Sequence, residues 1–198
     1  MKLKKILAAV CAVFPLSYAM AQSPDEGPWM LRTRALHQNN SNHGSLAADV
    51  SVDNKSYAEL DVSYFINRNV ALELALTAPQ RQTVSSQGLE VGSFKQHPTV
   101  LMLQYHFTDL PGYRPYLGLG LAYTRLSSTN LPASVTTDNH SWGGAMQLGV
   151  DIALDRNWMV NLDVRKLYAK SDVYANSVSL GNYKLDPVVY GLGLGYRF

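Results

Sequence analysis

The stretch Asp186-Pro187-Val188-Val189-Tyr190-Gly191-Leu192-Gly193-Leu194-Gly195-Tyr196-Arg197-Phe198 decides how the whole chain is read. From Val188 on, every second residue is large and apolar: Val188, Tyr190, Leu192, Leu194, Tyr196 and Phe198. Between them stand Val189, three glycines and Arg197. Period two marks a β-strand whose two faces meet different media. The glycine face implies a crowded space with no room for a side chain. The other face is too apolar for water: exposing six such side chains forfeits roughly 1.5–3 kcal/mol each, on the order of 10 kcal/mol together. A soluble sheet can bury such a face, but soluble domains more often end in a loose polar tail. A lipid-facing barrel strand accounts for the apolar face and the aromatic ending together.

Working outward, the same alternation recurs at residues 29–36, 57–66, 70–77, 99–107, 116–125, 142–152 and 158–167. Polar stretches at about 37–55, 78–98, 126–140 and 170–184 alternate with tight connections at Asn67-Arg68-Asn69, Pro111-Gly112 and Asp155-Arg156-Asn157. Eight strands of bilayer-crossing length, joined alternately by long and short connections, predict an all-β fold. It is a transmembrane eight-stranded antiparallel up-and-down β-barrel with long extracellular loops and short periplasmic turns. A soluble sandwich shares the period-two pattern but has no reason to share the loop alternation. Trp29, Tyr64, Tyr105, Phe107, Trp158, Tyr196 and Phe198 fall at the turn end, and Tyr123, Trp142 and Tyr168 at the other. Two girdles at headgroup depth are expected of such a barrel.

The first residues stand apart. Lys2, Lys4 and Lys5, a short apolar core, and Ala19-Met20-Ala21 read as a cleaved secretory signal over 1–21, leaving 22–198 as the barrel. Cys11, the only cysteine, lies inside that signal, so the mature chain has no thiol for disulfides or metal. Cleavage removes three lysines and no acid, turning 17 basic and 15 acidic residues into 14 and 15, a net charge of −1. Without a basic patch interleaved with aromatics, nucleic acid is excluded as a partner. No later segment has the eighteen or more apolar residues of a spanning helix, so a membrane form must be a closed barrel in contact with outer-membrane lipid. Closure satisfies both sheet edges within one chain, which makes a monomer the expectation.

Alternation also sorts the lumen. Towards the periplasm it receives Arg32, Arg34, Asp61, Glu73, Asp151, Asp163, Arg165 and Arg197, a polar plug, with Ser63, Gln104, His106 and Asn161 among them. Towards the exterior it receives Leu36, Tyr57, Val100, Met102, Leu167 and Val189, an apolar pocket, with Ala75, Ala122 and Ala145. Glu59 sits at the boundary. The expected result is a polarity gradient, apolar above and charged below. An unpartnered charge out of water costs several kcal/mol, so the arginines and acids should pair. A barrel of eight strands is only wide enough to be filled by side chains or to hold one small ligand. A solute entering from outside would meet the plug and need a sideways exit into lipid.

Other chemistry is poorly supported. Glu59, Asp61 and Glu73 are spaced for acid–base work, but against so many arginines an ion-pair network is the better reading. His106 with Gln104 and Asp61 finds only Ser63 as a lumenal nucleophile. His37, His43, His97 and His140 match no compact metal site. Gly191-Leu192-Gly193-Leu194-Gly195 is followed by no helix and is no dinucleotide fingerprint. No enzyme and no cofactor is expected.

Four segments in chain order carry a family resemblance: Trp29-Met30-Leu31-Arg32-Thr33-Arg34-Ala35, Gln104-Tyr105-His106-Phe107, Arg114-Pro115-Tyr116-Leu117-Gly118-Leu119-Gly120, and Leu185-Asp186-Pro187 through Phe198. Together they resemble the OmpW family. The resemblance implies an outer-membrane barrel with a narrow hydrophobic channel, associated with passage of small hydrophobic solutes. It also implies that Tyr196 and Phe198 belong to a terminal signal read by the barrel-assembly machinery. Two departures stand out: His97-Pro98-Thr99 where the family tends to Pro-Pro-Thr, and Arg165 where members tend to an aromatic, which removes or displaces an apolar constriction there. The alternative function is a structural barrel or a loop-mediated receptor or adhesin, with phage or bacteriocin at the loops.

Overall fold

Eight strands form the wall of the computed structural model: β1 (Trp29–Asn39), β2 (Lys55–Phe65), β3 (Val70–Thr77), β4 (Leu89–His106), β5 (Tyr113–Asn130), β6 (His140–Ala153), β7 (Trp158–Ala175) and β8 (Val188–Arg197). The structure describes residues 27–40, 50–52, 54–86, 89–130, 135–137, 140–175, 178–185 and 187–198, so the expected signal segment lies outside the described residues. Each strand pairs antiparallel with the next, and β8 returns to β1 through an unbroken register from Met30–Arg197 to Asn39–Val188. Main-chain bonds from Trp29 N to Phe198 O (3.2 Å) and from Phe198 N to Trp29 O (2.9 Å) fasten the seam at its lower end. Closure removes the free edges that lipid could not hydrogen-bond.

The faces are inverted relative to a soluble protein. Leu119 and Leu121 are 62% and 61% exposed, whereas Arg32, Asp61 and Glu73 are completely buried. Apolar residues out and charges in is the arrangement lipid selects. The glycine face of β8 is crowded, as its sequence requires. A Cβ at Gly191 would stand 2.9 Å from Leu36 Cδ2, one at Gly193 2.8 Å from Arg34 Cγ, and one at Gly195 3.2 Å from Arg32 Cγ. Large lumenal side chains of β1 lie across β8, which has none there to spare.

Two tight turns use the same device. Asn67 Oδ1 accepts from Asn69 N and Val70 N at 2.9 and 2.8 Å; Asp155 Oδ1 accepts from Asn157 N and Trp158 N at 2.8 and 2.7 Å. Side chains at the head of a turn thus replace the missing ladder bonds. The two amides hold the exposed Asp155 carboxyl below the usual carboxylate range.

The stretches expected as loops carry strand instead. Gln80–Ser86 forms a hairpin with the start of β4, Val50–Val52 pairs with it, β5 and β7 run on past the apolar belt, and Val135–Thr137 and Val178–Leu185 pair with the top of β7. These segments lack the continuous apolar face of the strands within the bilayer, so the period that betrays a strand in lipid is weak there. Residues 41–49 lie outside the described residues.

Among the described residues the wall is interrupted beside β2. Pairing of β2 with β3 reaches Glu59–Thr77 and ends with Ala78 N donating to Ala58 O (3.0 Å). Pro79 has no N–H to continue the ladder. Gln80–Ser86 then pairs with β4 and Val50–Val52. Residues 55–57 keep only β1 as a register partner among the described residues, so the main-chain ladder has a notch between them and residues 78–80, bridged there by the Tyr57 and Gln80 side chains.

Candidate functional site: the barrel lumen

The middle of the lumen is a buried polar layer. Glu73 Oε2 accepts from Arg32 Nη1 at 2.6 Å and Arg34 Nη2 at 2.7 Å. Arg32 also forks onto both oxygens of Asp151, at 3.2 and 2.6 Å. Arg34 Nε stands 3.1 Å from Asp61, and Arg165 forks onto Glu59 at 3.1 and 3.2 Å. Asp163 lies 3.7 Å from Arg34 and accepts from Gln147 Nε2 at 2.6 Å. Seven of the eight expected plug residues meet here; Glu59, placed at the boundary, is a full member. Three arginines face five carboxylates, each within 4 Å of a guanidinium. Fork-shaped donors on carboxylates are the strong geometry for such pairs.

Arg197 is the exception. It lies below this layer, its guanidinium 3.8 Å over the Phe65 ring and its Nε donating to Gly27 O at 2.8 Å. Around it Met30, Phe65, Ala71 and Met159 form an apolar floor. The expected gradient is therefore corrected: the charged layer is sandwiched between two apolar ones. The reason is height. Met30 and Met159 are one alternation step below Arg32 and Asn161, where the wall nears the lower girdle and the lumen no longer needs ion pairs.

Sequence reading missed two organisers. Tyr116 is fully buried, stacked on His106 at 4.9 Å and lying under Arg32 at 5.3 Å, and its hydroxyl accepts from Asn161 at 3.0 Å. Gln147 bridges Gln104, which donates to it at 2.9 Å, and Asp163. A signal existed for Tyr116, because its register partner is Gly149, where a Cβ would run into the phenol ring. His106 sits between Phe65 and Tyr116, with Nε2 3.1 Å from Gln104 Oε1. Ser63 Oγ accepts from Arg32 Nη1 at 3.2 Å and donates to Glu73 Oε2 at 3.5 Å, inside the ion-pair network.

Above the charged layer Ala75, Val100, Met102, Ala122 and Ala145 pack together with Leu167 on one side of the lumen. Leu36 and Val189 are buried on the opposite side, near β8, and half-buried Tyr57 donates to Gln38 Oε1 at 3.0 Å. All six expected apolar residues thus face inward, but as two patches rather than one ring. On the outside, Tyr196 packs with Trp158 (5.0 Å) and Phe198 (6.0 Å), Trp29 with Tyr64 (4.7 Å), and Tyr123 with Trp142 (4.9 Å) at the far end.

This geometry has close counterparts. The OmpW family pattern matches residues 32–198. An outer-membrane protein of Sinorhizobium fredii, y4mB, is 36% identical over 86% of this chain and 80% of its own. The dibenzothiophene metabolism operon protein PahQ of Pseudomonas aeruginosa is 28% identical over 98% of this chain and 100% of its own. The solid-state NMR structure of outer membrane protein AlkL in DMPC bilayers superimposes with a TM-score of 0.68 at 27% identity, covering 93% of this chain and 95% of that one. Closed barrel, inverted faces and matched sequence agree: the chain belongs to the OmpW family, as an eight-stranded β-barrel of the Gram-negative outer membrane.

Proposed function

We propose that the barrel admits small hydrophobic compounds from the cell exterior into its upper lumen and releases them sideways into the membrane. The observation that carries this reading is the apolar pocket of Val100, Met102, Ala122, Ala145 and Leu167 resting on the ion-paired layer. An apolar solute gains roughly 25 cal/mol per Å2 on leaving water for such a surface. It gains nothing by entering the charged layer, which blocks the way down. The notch between residues 55–57 and 78–80 offers the way out. Directly beneath it, on the lipid face, a trough of about 920 Å3 is lined by Thr33, Ala35, Ala58 and Ala78 between Leu60 and Leu192. PahQ, a dibenzothiophene metabolism operon protein, supports a planar aromatic class of solute.

The test compares Met102→Arg and Val100→Arg barrels with wild type for hydrocarbon uptake by cells, with heat-modifiable mobility on gels as the folding control. Folded variants with lowered uptake uphold the reading; undiminished uptake in both sinks it. Planar-bilayer recordings should show no large stable ionic currents, because the charged layer closes the lumen.

A further inference from the structure

Above the upper girdle the outer face of β4, β5 and β6 carries a row of basic residues. His97 pairs with Arg125 and Arg125 with His140 in the register, and Lys95 lies two residues from His97 on the same face. Directly across from Lys95, on the Gln80–Ser86 strand, stands Arg81. Arg81, Lys95, Arg125 and His140 are exposed and His97 is half-buried. The lipid-facing phase is fixed by Leu101, Leu121 and Met146, which share it lower down and are exposed. Arg81 is held in place by Ser93 Oγ, which accepts from its Nε at 3.2 Å and its Nη2 at 2.9 Å.

Such a row is costly by itself. Arg81 directly opposite Lys95 is a like-charge pair, which destabilises a sheet face, and no register partner of these five residues is an acid. The lumen of the same barrel shows that this chain supplies carboxylates where it must neutralise arginine. Among the described residues none stands opposite this row, which leaves its charge to be met by a ligand. Position indicates the source. Arg125 and His140 lie two residues beyond Tyr123 and Trp142, roughly 7 Å further along their strands. Those aromatics mark headgroup depth. With the tight turns periplasmic, this end of the barrel is in the outer leaflet.

We propose that Arg81, Lys95, His97, Arg125 and His140 form a binding surface for the phosphates of lipid A, the anionic glycolipid of the outer leaflet. The guanidiniums of Arg81 and Arg125 meet the phosphate oxygens in paired N–H···O geometry. Tyr123 and Trp142 pack against the sugar and the upper acyl carbons. The surface is on the outer wall and is independent of solute passage through the lumen.

The full-length barrel, refolded into phosphatidylcholine nanodiscs doped with bisphosphorylated or with fully dephosphorylated lipid A, provides the test by native mass spectrometry. Wild type should retain the bisphosphorylated form, and Arg81→Gln/Arg125→Gln should lose at least roughly tenfold in retention, since each charged hydrogen bond is worth more than one decade. Arg125→Lys should keep part of the binding, and near-ultraviolet circular dichroism should show all three proteins folded. Trp142 emission should shift on addition of the phosphorylated lipid to wild type alone. Equal retention of the two lipids by wild type, or unchanged retention in the double variant, overturns the proposal. So does displacement of lipid A by an equimolar soluble polyanion such as a heparin fragment, which would mark the surface as one for an extracellular ligand.

Discussion

Arg34 and Gly193 face each other across the β1–β8 seam, and the Cβ that Gly193 lacks would stand 2.8 Å from Arg34 Cγ. The arginine stem and, closer still, the Thr33 carbonyl oxygen occupy the volume of the missing side chain. Gly193→Val should cost about 1–3 kcal/mol through overpacking. Gly144, on the lipid-facing phase of β6 with nothing within 4 Å of its notional Cβ, is the control. Gly144→Ala should be neutral or stabilising by about 0.4–1 kcal/mol. Urea unfolding in detergent micelles, followed by tryptophan emission, measures both.

Within the charged layer, the two signs are not equivalent. Arg34 is shared by Glu59, Asp61, Glu73 and Asp163, so Arg34→Met strands several buried carboxylates and should cost about 3–5 kcal/mol. Asp61 Oδ1 and Oδ2, by contrast, accept no hydrogen bond, and acids already outnumber arginines in the layer. Asp61→Asn should cost under about 1 kcal/mol or stabilise, because it removes an imperfectly solvated charge. The same unfolding experiment separates them; equal losses would contradict the unequal sharing.

If solutes leave by the notch, filling the trough beneath it should hinder them. Ala58→Trp places an indole between Leu60 and Leu192 on the lipid face without touching the lumen. Hydrocarbon uptake should fall while the barrel folds and the pocket still takes up a fluorescent hydrocarbon probe. Unchanged uptake would leave the pocket standing and remove the lateral route.

The Asp155 turn makes a pH prediction. Its carboxyl is held below the usual range by the amides of Asn157 and Trp158, so in acid the unfolded chain binds the proton more readily than the folded one. Its contribution is present above the ordinary carboxylate range and lost as pH falls through the depressed value. Asp155→Asn keeps an acceptor for the turn but cannot titrate. Its unfolding midpoint between pH 5 and pH 2 should therefore fall less steeply than that of wild type.

Much of this was legible in the sequence because lipid enforces a two-sided code. Leu117, Leu119 and Leu121 against Gly118, Gly120 and Ala122 state the strand, the phase and the lumen at once. The inward set, including Arg32, Glu73 and Asp151, follows from counting in twos. Beyond the bilayer the code weakens: Gln80–Ser86 lacks a continuous apolar face, and its hairpin with β4 is visible only in the pairing. Nor could counting show which acid reaches which arginine. Arg165 finds Glu59 across the lumen, 106 residues away, because side-chain reach and tilt decide that contact, not strand order.

The seam between Trp29 and Phe198 also has a kinetic meaning. Its two strands are the first and the last of the wall to be synthesised, so the pairing that closes the cylinder is the one most distant in sequence. Until β8 arrives, β1 and β7 each present a row of unsatisfied amides and carbonyls, and no partial wall can rest stably in hydrocarbon. Such high-contact-order closure is intrinsically slow. The chain must therefore be sheltered as an unpaired sheet until its final strand is delivered, and insertion and closure become one event.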